Sequence, residues 1–251
     1  MTYCVGMQLD QGLVLMSDTR TNSGVDNISV FRKMQSWSVP GERIITVMTA
    51  GNLATTQAVI GLLEERNKAP EERLNTLFKA PTMFEVATQI GALLRDTIAK
   101  TNAINPAPEG QTASTKFTAS IIVAGQIKGM QPRLYLIYPE GNFIESGPDT
   151  PFFQIGETKY GRPIILRGYD SDMSFEDAVK LLMVSFDSTI KANLSVGPPL
   201  DLMVIRKDSF EPLHERRIAP TDPYFLAVSA GWSEALKNAF HALPDYSLYS
   251  K

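Results

Sequence analysis

The chain has 251 residues, 24 Lys and Arg against 27 Asp and Glu for a formal charge of −3, and is 43% hydrophobic and 20% charged, the profile of an ordinary globular protein long enough to bury a core without staples. Its one cysteine, Cys4, cannot close an internal disulfide, which excludes a secreted disulfide scaffold and a cysteine-based zinc ribbon and points to a reducing compartment. No signal-like opening, no stretch of ~18 apolar residues and no Lys/Arg run is present, so the expectation is a cytoplasmic protein with neither a membrane nor a nucleic-acid partner.

In chain order, alternation at Tyr3, Val5, Met7 and Leu9, a turn at Asp10-Gln11-Gly12 and the run 13–16 leading into Ser17-Asp18 predict a hairpin beginning at the second residue. A second hairpin is predicted over 30–39 and 43–49 about Pro40-Gly41-Glu42, so that four strands precede any helix. Apolar positions at Ala54, Ala58, Leu62 and Leu63, closed by Pro70, predict a first helix, and residues 84–104 a second. The loop Pro106-Ala107-Pro108-Glu109-Gly110 is too short and mixed for a domain linker.

Strands are expected again at 117–124 and 134–138, followed by the turn Pro139-Glu140-Gly141-Asn142. Then come a short helix about 157–166 and a longer one to about 192, with Ser174 as N-cap and Asp177 three residues on. Residues 200–206 and 211–217 read as a last pair of strands and 222–243 as a C-terminal helix. Strand blocks separated by helix pairs argue for antiparallel sheets with segregated helices in one domain, 1–251, rather than the β-α-β alternation of a parallel sheet.

Several chemistries lack their residues. His214 and His241 are the only histidines and no cysteine adjoins them, which argues against a metal site; no metal and no cofactor is expected. Gly-x-Ser-x-Gly, Gly-x-x-x-x-Gly-Lys-Ser/Thr and Gly-x-Gly-x-x-Gly are all absent, removing the usual support for a serine hydrolase or a nucleotide enzyme. Ser188-Thr189-Ile190-Lys191 fits a Ser-x-x-Lys pattern without its Lys-Thr-Gly companion, and reads as chance spacing on a helix face. The sequons at Asn27 and Asn193 carry no chemistry without secretion.

A strand starting at Thr2, directly after Met1, suggests a different solution. Methionine is trimmed before small side chains, and a freed threonine α-amine has a reference pKa of about 7.7–8.0. Near neutral pH part of it is unprotonated and can take the proton from the hydroxyl of its own residue. Hydrolysis then needs no histidine.

Thr2-Tyr3-Cys4-Val5-Gly6, then Gly12-Leu13-Val14-Leu15-Met16-Ser17-Asp18-Thr19-Arg20, Phe31-Arg32-Lys33-Met34 and Thr49-Ala50-Gly51-Asn52 together resemble a proteasome-type β subunit of the N-terminal nucleophile hydrolases, and within them the bacterial proteasome-like Anbu peptidases. The resemblance runs from Thr2 to about Arg217. It implies an α+β fold, a four-layer α-β-β-α sandwich of two antiparallel sheets. It also implies a threonine-type peptidase acting on peptide or protein within a homo-oligomeric ring or open spiral, with any ATPase partner undefined.

By position it assigns Thr2 as nucleophile, Asp18 and Lys33 as the buried acid and cation beside it, and Gly51 as backbone donor to the oxyanion. An ammonium at Lys33 would lower the pKa of the Thr2 hydroxyl and disfavour a charged amine, with Asp18 holding it ionised. Singly, Asp18, Lys33 and Gly51 also suit a turn, a strand face and a helix start. Arg20 is expected to partner Asp18, Cys4 to be a small buried residue, and Thr21, Gln35 and Thr49 are candidate pocket walls.

The sequence departs from the family pattern where Gly156-Glu157-Thr158-Lys159 replaces Gly-Ser-Gly, and where Asn193-Leu194-Ser195-Val196-Gly197 replaces Asp-x-x-Ser-Gly. Glu157 either accepts from the α-ammonium, raising its pKa, or points away. A weak or inactive scaffold, or a hydrolase of a non-peptide amide, therefore stand as alternatives.

Overall fold

The computed structural model describes residues 1–22, 28–68, 75–104 and 117–248. Asn27, Pro70 and the loop 106–110 lie outside the described residues. Two five-stranded antiparallel sheets stack face to face. The first has the order β10-β1-β2-β11-β12, from Phe152–Gly156 (β10), Tyr3–Leu9 (β1), Gly12–Asp18 (β2), Leu200–Arg206 (β11) and His214–Ile218 (β12). The second has the order β5-β6-β7-β8-β9, from Met34–Val39, Arg43–Gly51, Ala119–Ile127, Arg133–Ile137 and Phe143–Glu145. A separate ribbon pairs β3 (Arg20–Asn22) with β4 (Ile28–Val30).

Period-two alternation separates the core into layers. On β1 and β2, Val5, Met7, Val14 and Met16 face outward to α3 (Arg162–Gly168), α4 (Phe175–Ala192) and α5 (Pro223–His241), where Ile165, Leu182, Phe186 and Phe225 meet them. Cys4, Leu13 and Leu15 point the other way, against Ile44, Met48, Ile122 and Leu134 of the second sheet. The far side of that sheet packs Ile45, Val47, Ile121 and Val123 on α1 (Leu53–Asn67) and α2 (Met83–Ile104). The result is the expected α-β-β-α sandwich, with Ser174 capping α4 by accepting from the Asp177 amide at 3.0 Å.

The structure corrects the sequence reading in four places. Among the described residues six strands, not four, precede α1, because the short ribbon β3–β4 is too brief to show a period. The segment before α3 holds two strands that the sequence reading lacked, β9 and β10; the run Phe152-Phe153-Gln154-Ile155 is buried on both faces, and a short continuous apolar run does not declare its type by periodicity. Consequently α3 begins at Arg162 and Glu157 lies in the turn after a strand. In α1 the inward face is Thr55, Thr56, Val59 and Leu63, while Ala54, Ala58 and Leu62 are exposed. Two threonines can face inward because their hydroxyls are satisfied, by the carbonyls of Phe117 and Leu53 at 3.0 Å each.

Candidate active site

Pairing of β1 with β2, Cys4 opposite Ser17, sets the start of one strand beside the end of the other. The Tyr3 amide donates to Asp18 Oδ1 at 3.0 Å, and the Gly197 amide reaches Oδ2 at 3.4 Å. On the other side of β1, Tyr3 is opposite Gly156, and the Glu157 amide donates to the Thr2 carbonyl at 2.7 Å. Thr2 is thus clamped between two strands and buried.

Gly156 is the residue that lets β10 come so close. Its φ is +86°, and a Cβ there would lie 1.9 Å from the Thr2 carbonyl oxygen, so both conformation and space demand glycine.

Lys33 arrives from the second sheet, just before β5, and its carbonyl accepts the Thr49 amide at 3.0 Å. Its Nζ donates to Asp18 Oδ1 at 2.7 Å, to the Arg20 carbonyl at 2.6 Å and to the Met1 carbonyl at 3.4 Å. Asp18 is fully buried and Lys33 is 6% exposed, which makes this an ion pair withdrawn from water and supported by backbone groups on both partners. Burial pushes the Asp18 carboxyl above the usual carboxylate range, opposed by the Lys33 ammonium and by the amides of Tyr3 and Gly197. Burial and then the Lys33 charge hold the α-amine of Met1 below its ordinary value, while Asp18 and Glu157 act in the opposite sense.

Arg20 does not meet Asp18 as expected. Its guanidinium donates to the Leu194 carbonyl at 2.9 Å and packs over Gly197, and only its backbone carbonyl serves the pair, through Lys33. Glu157 is half-buried and accepts from Asn193 Nδ2 at 3.0 Å. Val196 is buried among the side chains of the outer apolar layer, so it contributes packing there.

A cleft of about 880 Å³ opens over this end of the sandwich and holds Thr2, Lys33 and Gly51 together, with the three candidate wall residues Thr21, Gln35 and Thr49. One side of α1, Leu53, Gln57, Ile60 and Glu64, completes the wall, with Phe31 and Arg32 at another edge. These were not legible in the sequence; the only signal was the non-apolar, non-charged spacing of Gln57 and Gly61 within a helix. Gly51 closes β6 at φ +118°, where a Cβ would lie 2.5 Å from the Thr118 carbonyl. Asn52 then caps α1 by accepting from the Thr55 amide at 3.0 Å.

The remaining reactive side chains are engaged elsewhere. Cys4 is fully buried, and burial raises its thiol far above the usual range, so it stays a neutral core residue. Lys191 donates to Asp187, Ser229 and Ser233 at 2.9, 3.1 and 2.9 Å, tying α4 to α5 rather than activating Ser188. Among the described residues no group of three or more His, Cys, Asp or Glu is placed to hold a metal ion, and no helix is long and apolar enough to cross a membrane.

The family described as "Proteasome subunit" matches residues 107–205. Anbu (ancestral beta-subunit) from Yersinia bercovieri superposes with a TM-score of 0.89 at 45% identity, over 98% of this chain and all of the other. The chain belongs to the Anbu family of proteasome-type β subunits. A Gly-1 mutant of Anbu from Hyphomicrobium sp. strain MC1 also gives a TM-score of 0.89 at 45% identity over 99% and 100% of the two chains. The protein of a structure described as the helical assembly of the Anbu complex from Pseudomonas aeruginosa gives 0.88 at 42% identity over 98% of each. Among sequences, the proteasome subunit beta of Methanopyrus kandleri is 24% identical over 86% of this chain and 93% of its own.

Proposed function

We propose that the chain, read as one peptidase domain, is an N-terminal threonine hydrolase of peptides or proteins that works in the cytoplasm within a homo-oligomeric ring or spiral. The observation that carries the reading is the Lys33 ammonium: paired with a buried carboxylate, it reaches the carbonyl of the Met1–Thr2 peptide at 3.4 Å. A fixed cation therefore stands beside the bond that processing must break and beside the amine that processing leaves. Assembly is supported by the helical complex of the Pseudomonas aeruginosa relative.

After loss of Met1, the Thr2 Oγ attacks the substrate carbonyl carbon while the α-amine of the same residue takes the hydroxyl proton. Lys33 favours the alkoxide-like oxygen and, as a like charge, favours the neutral amine that must accept the proton. Asp18 keeps the ammonium ionised and aimed. The Gly51 amide stabilises the tetrahedral oxyanion. The α-ammonium then returns its proton to the leaving amine, giving an acyl ester on Thr2. Water, deprotonated by the α-amine, cleaves that ester and regenerates the hydroxyl. No metal or cofactor enters any step.

Mass spectrometry of protein from the native host, together with hydrolysis of a fluorogenic peptide library by the parent, Thr2→Ala and Thr2→Ser forms, tests this. Loss of Met1, abolished hydrolysis in Thr2→Ala with assembly intact, and retained hydrolysis in Thr2→Ser are expected. A retained Met1, or hydrolysis surviving in Thr2→Ala, refutes it.

A further inference from the structure

Arg32 stands where two cavities meet. The cleft over Thr2 lies on one side of it. On the other, a second space of about 440 Å³ opens between β5 and the pair β11–β12, and Gln35 of β5 also borders both. The root of Arg32 is fixed. The Phe31 amide donates to the Thr19 carbonyl at 2.8 Å and the Lys33 carbonyl accepts from the Thr49 amide at 3.0 Å, so the backbone is pinned on either side of it. The Lys33 side chain turns inward to Asp18, while that of Arg32 is 50% exposed.

The guanidinium is held loosely. Its Nε and Nη1 lie 3.9 Å from Asp201 Oδ2 and from Glu215 Oε1, beyond hydrogen-bonding distance, and among the described residues none of its N–H groups enters a hydrogen bond. Ion contacts of this kind on a half-exposed side chain contribute little. Asp201 does not depend on Arg32, because Arg217 grips both of its oxygens at 2.7 and 3.0 Å. The neighbouring arginines are spent, Arg20 on the Leu194 carbonyl and Arg216 on Asp222. Arg32 is thus a guanidinium with an anchored root and unspent donors at the rim of the cleft that holds Thr2.

We propose that Arg32 is a specificity-determining residue that takes a substrate carboxylate, from an acidic side chain or from the chain end, in a bidentate ion pair where the cleft meets the second cavity. The inference rests on the N-terminal threonine reading and names its substrate class, an acidic peptide. A planar guanidinium matches the two oxygens of a carboxylate. Arg217 already neutralises Asp201, so Arg32 exchanges only a weak contact with Glu215 for a full pair. Lys33 cannot serve in its place, since its hydrogens go to Asp18, Arg20 and Met1. Glu64, on the α1 wall of the same cleft, is an anion. An acidic group is therefore admitted beside Arg32 and repelled along α1, and the preference is expected at one position of the substrate rather than at all.

The experiment uses full-length protein lacking Met1, as the parent and as Arg32→Gln, Arg32→Lys and Arg32→Glu forms. Its probes are internally quenched peptides that differ by one Glu or Gln at each position in turn, and pairs that end in a free acid or an amide. In the parent, kcat/KM is expected to favour Glu over Gln at one position by about tenfold, with the difference in KM and shrinking as salt is added. Arg32→Gln brings the ratio near one, Arg32→Glu takes it below one, and Arg32→Lys keeps part of it. The same pattern confined to free acid against amide assigns the carboxylate to the chain end. A parent that distinguishes neither pair, or a preference that survives in Arg32→Gln or Arg32→Glu, overturns the proposal, and either variant suffices if the other fails to fold. Binding of the same peptides to Thr2→Ala forms with and without Arg32→Gln, by fluorescence anisotropy, separates this inference from the reading beneath it. Selective binding that depends on Arg32, in a protein that cleaves no peptide, upholds the site and overturns the peptidase reading; cleavage without a charge preference does the reverse.

Discussion

Replacement of Asp18 by Asn tests the centre of the site without requiring turnover. At 2.7 Å and an effective dielectric of about 20, the attraction between Asp18 and Lys33 is ~6 kcal/mol, offset by a desolvation cost of several kcal/mol for each ion. The net value of the pair is therefore small, but removing one member leaves a cation 6% exposed with only carbonyl partners. Breaking a buried pair in this way costs about 3–5 kcal/mol. Asp18→Asn should lose that much in urea unfolding. Lys33→Met should lose least at acid pH, because the Asp18 carboxyl, already raised by burial, loses the ammonium that opposed the rise and is tolerated in the fold in its protonated form. The sign of its pH dependence follows. The folded variant keeps a proton that the unfolded chain releases near pH 3.9, so its stability should fall as pH rises from there through the folded pKa. The double variant Asp18→Asn/Lys33→Met should recover part of the Asp18→Asn loss. A cost below about 1 kcal/mol for Asp18→Asn, the range of solvent-exposed pairs, would refute the reasoning.

Three further expectations follow from the geometry. Because burial and the Lys33 charge hold the Met1 α-amine below its ordinary value, titration of that amine in the unprocessed protein, followed by pH-dependent labelling of the N-terminal peptide, should have its midpoint below 8.0; a midpoint above 8.0 contradicts the placement of Lys33. Gly156→Ala should cost at least about 1–3 kcal/mol for its φ of +86° alone, and more for the 1.9 Å approach to Thr2. Gly41→Ala, at φ +70° with nothing within 4 Å, isolates the conformational part, so equal losses in denaturant midpoint would disprove the clash. Leu63→Ala in α1, 2% exposed, should cost about 2–5 kcal/mol, whereas Leu62→Ala, 43% exposed, should stay within about 0.5 kcal/mol; equal losses by thermal denaturation would restore the face suggested by the sequence, which held both leucines.

The sequence by itself determined which elements exist where a period is long enough to see. The hairpin that begins at Tyr3, the helix ending at Ile104, and α4 with its Ser174 cap are local features, set by alternation, by a 3.6-residue stripe and by one hydroxyl. The resemblance of its motifs to proteasome-type subunits named Thr2, Asp18, Lys33 and Gly51, and the fold brings all four to one end of the sandwich. What local pattern could not decide is anything that depends on a partner from another part of the chain. Thr55 faces inward because Phe117 supplies an acceptor 62 positions away; β10 is a strand because β1 offers its edge. Arg20 turns to Leu194 because Lys33 already fills Asp18, and Asn193 finds Glu157 across 36 positions of sequence. Periodicity reports which side of a segment avoids water, but the direction of a polar side chain is set by the acceptor or donor that tertiary packing brings within ~3 Å, and only the assembled sandwich supplies it.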